Sequence, residues 1–191
     1  MAKKLLEEAV NELINALNVT ITAYQKDIEE IAMLISNAFK KGKKVLLCGN
    51  GGSASDCQHL AAEFVNRFKI NRTPLPAIAL TTDTSILTAI SNDFTYDDVF
   101  KKQVEALGKT GDVLIGISTS GSSKNVIKAL EVGKKNGLFT VGLSGEKDSP
   151  MKDVCDYLIK VASLDTPRIQ EVHIFIGHMI CEIVERSIFE E

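Results

Sequence analysis

His59 and Glu63 stand four residues apart in a stretch, Ser53 to Arg67, that reads as a helix, so both side chains project from one face within reach of a common ion. Taken singly, each is an ordinary helix-surface residue. Two loops beside such a pair could hold a ligand. The first, Cys48-Gly49-Asn50-Gly51-Gly52-Ser53-Ala54-Ser55, follows an apolar run and opens that helix; its glycines let backbone approach a ligand, and the helix start offers unpaired N–H groups. The second, Ser118-Thr119-Ser120-Gly121-Ser122-Ser123-Lys124-Asn125, also leaves an apolar run and enters a helix. Its five hydroxyls in six residues, with the N–H groups of a helix start, make a neutral donor cluster suited to a phosphate dianion. The competing reading is a serine-rich turn whose hydroxyls only cap the helix.

The elements that must position these residues alternate along the chain. Apolar runs at Lys44 to Cys48, Ala77 to Leu80, Val113 to Ile117, Thr140 to Leu143 and Tyr157 to Val161 read as buried strands. Helical patterns lie at Ser53 to Arg67, Asp97 to Leu107, Ser123 to Asn136, Ser149 to Val154 and Thr166 to Phe189, while the segment between Leu80 and Asp97 carries no assigned element. Alternation of this kind predicts an α/β fold: one doubly wound, parallel, five-stranded sheet flanked by helices, with ligands bound where strands end and helices begin. Ahead of it, residues from Leu6, Val10, Leu13 and Leu17 through Ile35 and Phe39 recur at three- and four-residue steps. This is an N-terminal helix ended by Lys40-Lys41-Gly42, with a break expected at the β-branched stretch Asn18 to Thr22. So long an amphipathic helix needs a partner surface, either the host domain or a neighbouring subunit.

Composition narrows the function. A chain of 191 residues, 45% hydrophobic and 25% charged, accommodates one domain with a sizeable core. Its net charge of −3, from 22 basic and 25 acidic residues without a basic tract, argues against nucleic acid as a primary partner. Charges return within the first residues, which does not fit a signal peptide, and no apolar run suits a membrane span; the expectation is a soluble, cytoplasmic protein. Cys48, Cys57, Cys155 and Cys181 lack any Cys-x-x-Cys spacing and read as reduced, buried thiols. Cys57, early in a helix, could be activated by the helix dipole, but no base is placed beside it.

The two loops together resemble the sugar isomerase (SIS) domain. Cys48 to Ser55, Leu80-Thr81-Thr82-Asp83, Asn92-Asp93, Ile117 to Gly121 and Arg168-Ile169-Gln170-Glu171 are, as a set, similar to the phosphoheptose isomerase family across nearly the whole chain. Ser122 and Lys124 depart from residues common in relatives, yet leave Ser118, Ser120 and Ser123 intact. The resemblance implies one SIS domain over residues 1–191, with 1–41 as a helical oligomerisation segment, and a homotetramer. It implies an aldose–ketose exchange through an enediol, from sedoheptulose 7-phosphate to glycero-manno-heptose 7-phosphate. One divalent ion, zinc as the first expectation, would be held by His59, Glu63, Gln170 and His178. Glu63 would act as base and His178 as acid; Asn50, Gly51, Gly52, Ser53 and Gln170 would line the site; Ser118, Thr119, Ser120 and Ser123 would hold the phosphate; Asn92 and Asp93 would meet sugar hydroxyls. Gln170 and His178 lie about 12 Å apart along one helix, so a site completed by a neighbouring subunit is expected. His173, on another face, has no assigned role.

Two other readings compete. A non-catalytic SIS protein of the replication-initiator-associating kind shares the loops but lacks an acid at the place of Glu63 and a histidine at that of His178, both present here. A nucleotide-binding oxidoreductase rests only on Gly49-x-Gly51-x-x-Ala54, a loose match with no acidic partner for a ribose at the end of the second strand.

Overall fold

The structure, a computed structural model, describes residues 1–190. Five strands, β1 (Val45–Gly49), β2 (Ala77–Ala79), β3 (Val113–Ile117), β4 (Phe139–Gly145) and β5 (Tyr157–Val161), form one parallel sheet in the order β2-β1-β3-β4-β5. Every residue of β1 and β3 is buried, as a strand covered on both faces requires. Alternate side chains divide between two cores. Val45, Leu47, Val113 and Ile115 pack with the N-terminal and C-terminal helices and the helix after β1, whereas Leu46, Cys48 and Leu114 face the helices that precede and follow β3. The chain leaves β1 toward β2 on one side and returns through β3 on the other, so the crevice above β1 and β3 is the topological switch point. Both candidate loops sit there.

The helices are α1 (Ala2–Lys40), α2 (Gly52–Val65), α3 (Thr84–Asp93), α4 (Val99–Leu107, after a 3-10 turn at Tyr96–Asp98), α5 (Lys124–Lys135), α6 (Met151–Val154) and α7 (Thr166–Phe189). Two expectations need correction. The break at Asn18 to Thr22 does not occur: α1 runs unbroken because Thr20 is fully buried and its hydroxyl accepts the Ala162 amide at 3.0 Å, so packing outweighs weak local helix propensity. The unassigned segment after β2 contains α3, none of whose residues is fully buried, although Leu87 and Ile90, one turn apart, pack against the core that faces α4 and α5. It is capped by Asp83, whose carboxylate accepts the Ile86 amide at 2.9 Å.

α2 and α7 lie on the same face of the sheet, and a glycine governs how closely they approach. A Cβ on Gly177 would stand 2.6 Å from Leu60 Cδ1, so any side chain there would push apart the two helices that carry His59, Glu63 and His178. No helix among the described residues is long and apolar enough to cross a membrane.

Candidate functional site

Three ligand atoms converge where α2 meets α7. His59 Nε2 lies 3.0 Å from Glu63 Oε1 and 3.4 Å from His178 Nε2, and the three groups fall within 4.8 Å of one another. The spacing of His59 and Glu63 follows from one helical turn; His178 joins them from 119 residues away through the α2–α7 packing. A tetrahedral zinc centre with arms of ~2.0–2.1 Å places nitrogen ligands ~3.3–3.4 Å apart, and the two imidazoles already stand at that separation. The donor set therefore fits a borderline divalent ion. Desolvation holds the His178 pKa below its usual value, with the neighbouring His59 adding to the shift, and this favours the neutral imidazole that a metal requires.

These three come from a single protomer, whereas Gln170 stands apart from them, in keeping with the separation along α7 that helix rise predicts. Gln170 makes different contacts. A Cβ on Gly52 would fall 2.3 Å from its Nε2, and its amide is close enough to Asp56 to oppose the effect of burial on that carboxyl. It therefore closes against the start of α2, where a side chain on residue 52 would displace the amide, about two turns of α7 ahead of His178. Asp56 is buried, its Oδ2 has no hydrogen-bond partner among the described residues, and desolvation raises its pKa against the opposing Gln170 amide. Sequence reading missed Asp56, although it stands on the His59 face of α2, three residues before it.

Asn50 and Asn125 join the two loops. Asn50 Nδ2 donates to Asn125 Oδ1 at 2.9 Å, Asn125 Nδ2 donates to Asn50 Oδ1 at 2.8 Å, and the Tyr96 hydroxyl donates to Asn50 Oδ1 at 3.0 Å. Asn50 thus spends its amide on holding the loops in register. In the second loop the Ser118 hydroxyl lies 2.9 Å from that of Ser123 and 3.4 Å from that of Ser120, which also accepts the Ser122 hydroxyl at 2.9 Å. Ser123 occupies the N-cap position of α5 without making a side-chain capping bond, so capping alone does not account for the cluster. Thr119 contributes its carbonyl to the Gly145 amide at 3.1 Å, fixing the loop to the end of β4. Ser53 is buried in the first turn of α2, beside Gly51 and Gly52. Asn92 and Asp93 end α3, exposed and hydrogen-bonded to each other at 2.9 Å, with no hydrogen bond to either loop among the described residues.

His173 is fully buried; its Nε2 lies 3.2 Å from the Ser144 carbonyl, its Nδ1 has no partner, and desolvation lowers its pKa to about 4. Burial also holds the thiols protonated, pushing Cys155 up to about 12, Cys48 higher still and Cys57 well above its ordinary value, so helix-dipole activation of Cys57 does not arise. Asp165 precedes α7 without a side-chain capping bond.

Such a site, with anion donors at a switch point and a His/Glu/His cluster where α2 meets α7, suits proton transfer on a phosphorylated ligand. A SIS-domain family profile matches residues 8–145. The phosphoheptose isomerase of Clostridium acetobutylicum is 54% identical over 88% of this chain and 86% of its own length, and that of Roseiflexus sp. is 53% identical over 96% and 93%. The solved structure of phosphoheptose isomerase from Neisseria gonorrhoeae superposes with a TM-score of 0.91 at 39% identity, covering 97% of this chain and 99% of that one. At these identities and coverages the likeness extends well beyond the fold, and the chain belongs to the phosphoheptose isomerase family of SIS-domain proteins.

Proposed function

We propose that this chain is the isomerase that interconverts sedoheptulose 7-phosphate and D-glycero-D-manno-heptose 7-phosphate in heptose biosynthesis. The observation that carries the reading is the convergence of Glu63 Oε1 with His59 Nε2 and His178 Nε2, in a fold whose switch point also carries the Ser118–Ser123 hydroxyls. Ser118, Thr119, Ser120 and Ser123 bind the phosphate dianion, and Asn50, Gly51, Gly52, Ser53 and Gln170 shape the wall against which the sugar lies. Glu63 takes the C1 proton of the ketose, electrons from that C–H bond form the C1–C2 double bond of the enediol, and the same carboxyl returns a proton to C2. His178, whose Nε2 belongs to the cluster, gives a proton to O2 and takes one from O1 through its other ring nitrogen, so the aldose leaves with atoms and charge balanced. Asn92 and Asp93 meet sugar hydroxyls.

His59, Glu63 and His178, with the partner subunit's Gln170 as a further oxygen donor, would hold one divalent ion, zinc by its donor set, which supplies Lewis acidity toward the sugar carbonyl. Oε1 of Glu63 belongs to the cluster, leaving Oε2 for the substrate proton. A protein lacking an acid at position 63 could bind the sugar phosphate yet not isomerise it, which is why the enzymatic reading stands above the binding one.

In this reading the chain is a single SIS domain whose N-terminal helical segment (1–41) drives self-association, to a homotetramer. Leu5, Leu6, Val10 and Ile14 on α1 are half or more exposed, an apolar strip that a second copy would cover. The compartment is the cytoplasm, which suits four unpaired cysteines. The decisive experiment incubates metal-replete protein with sedoheptulose 7-phosphate and follows the aldose formed. Glu63→Gln is expected to lower kcat at least a hundredfold while sugar phosphate still binds. Normal turnover in that variant removes Glu63 from its role, and absence of aldose with the wild type overturns the assignment.

A further inference from the structure

His178 and Glu185 stand seven residues apart on α7 and so share a face to within ~20°. The first reaches His59 and Glu63. The second reaches the loop that leaves α2. Glu185 is 1% exposed, and such a buried carboxylate must be met by donors. It is met by four: Oε1 accepts the Phe68 amide at 3.0 Å and Arg72 Nε at 2.8 Å, and Oε2 accepts the amides of Lys69 at 2.7 Å and Ile70 at 3.0 Å. Arg72 then donates Nη2 to the Glu63 carbonyl at 2.8 Å and Nη1 to the Phe64 carbonyl at 2.9 Å, tying up the last carbonyls of α2. One carboxylate on α7 is thus wired through one arginine to the backbone of Glu63.

The loop so held delivers the Phe68 ring onto His178, with centroids 5.5 Å apart and 29° between planes. On another side His178 meets His59 edge-on, at 4.9 Å and 75°. An imidazole confined in this way has little freedom to rotate about its Cβ–Cγ bond. A swing that carried Nε2 away from His59 would drive the ring into Phe68.

We propose that Phe68 is a positioning residue for His178, and that the Glu185–Arg72 clamp exists to hold the 66–72 loop so that Phe68 keeps the imidazole nitrogen aimed at His59 and Glu63. The inference rests on the reading of His59, Glu63 and His178 as a metal set. Partners that orient a metal-ligating histidine are worth about 10–100-fold in metal affinity or activity, and an aromatic wall serves the same end by sterics that a second-shell hydrogen bond serves by direction. Phe68 is partly buried and packs against the edge of the main core, so Tm is needed to separate lost packing from lost positioning, and Glu185, buried with four donors, supports the fold more strongly.

The test uses full-length protein, stripped of metal, with zinc affinity read by competition against a chromogenic chelator, alongside kcat and KM of the reloaded enzyme and Tm. Phe68→Ala is expected to weaken zinc binding about tenfold and lower kcat about tenfold while KM changes less than about twofold, and Phe68→Tyr, which keeps the ring, is expected to restore both. Glu185→Gln should repeat the pattern with a lower Tm. If His59→Ala loses zinc but Phe68→Ala matches the wild type in zinc affinity and kcat, the positioning role is refuted and the metal set survives. If His59→Ala binds zinc as the wild type does, the metal set and the positioning role fall together.

Discussion

Acidification should destabilise this protein through His173 before the carboxylates are reached. The side chain is fully buried, and its pKa is about 4, against an ordinary value near 6.5. Between those values the unfolded chain binds a proton that the folded chain refuses, so stability rises with pH across the window and falls as pH drops through it. The folded-state penalty is small at pH 7 and grows to roughly 2–2.5 kcal/mol by pH 4.5, at ~1.4 kcal/mol per unit of separation. The carboxylates with depressed values, Asp112, Asp156, Glu182 and Glu185, act in the same direction but lower on the pH scale: their stabilisation is intact above the unfolded carboxylate range and is lost as pH falls through it. At pH 4.5 that loss has begun, but it is common to the wild type and a histidine variant and cancels between them. His178, also shifted down, is separated by comparison with His173→Gln, which keeps a donor for the Ser144 carbonyl and cannot titrate. Urea unfolding of metal-free protein at one fixed concentration, at pH 7 and pH 4.5, gives the four free energies required. The wild type should lose about 2 kcal/mol more than the variant over this interval. Equal losses would mean that the buried ring accepts a proton in place, and that its unpartnered Nδ1 is not as isolated as the packing implies.

Ser120→Ala removes a hydroxyl that meets those of Ser118 and Ser122, and is expected to raise KM about tenfold with a smaller change in kcat; an unchanged KM in steady-state assays would take the phosphate out of this loop. Asp112→Ala strips a buried carboxylate from the amides of Lys44 at 3.0 Å and Lys109 at 2.8 Å and from the Lys44 ammonium, and should lower the unfolding free energy by about 3 kcal/mol in urea titrations without altering KM. Deletion of residues 2–12 removes Leu5, Leu6 and Val10 and should shift the sedimenting species to smaller size, whereas an unchanged oligomer would place the subunit interface elsewhere.

What the sequence could reveal was set by how local each constraint is. Strands β1 and β3 were legible as apolar runs because burial on both faces dictates their composition, and α7 was bounded at Thr166 and Phe189 by its own stripe. α3 was not read because its apolar stripe is short: Ile86, Leu87 and Ile90 span little more than one turn, and none of its residues is fully buried. The same division runs through the site. His59 with Glu63 is a one-turn relation that any helical pattern exposes, and the Ser118–Ser123 hydroxyls are contiguous. Gln170 was grouped with His178 through family resemblance, while the helix rise already pointed to their separation; the structure puts Gln170 against Gly52 and Asp56 instead. Glu185 with Phe68 spans 117 residues and pairs a carboxylate with backbone amides, a contact that no side-chain pattern encodes. Its geometry is set by the packing of α2 on α7, which itself depends on the absence of a Cβ at Gly177. The residues proposed to do chemistry are therefore largely the readable ones, while those proposed to aim them are fixed by tertiary contacts and emerge only when the two helices are placed side by side.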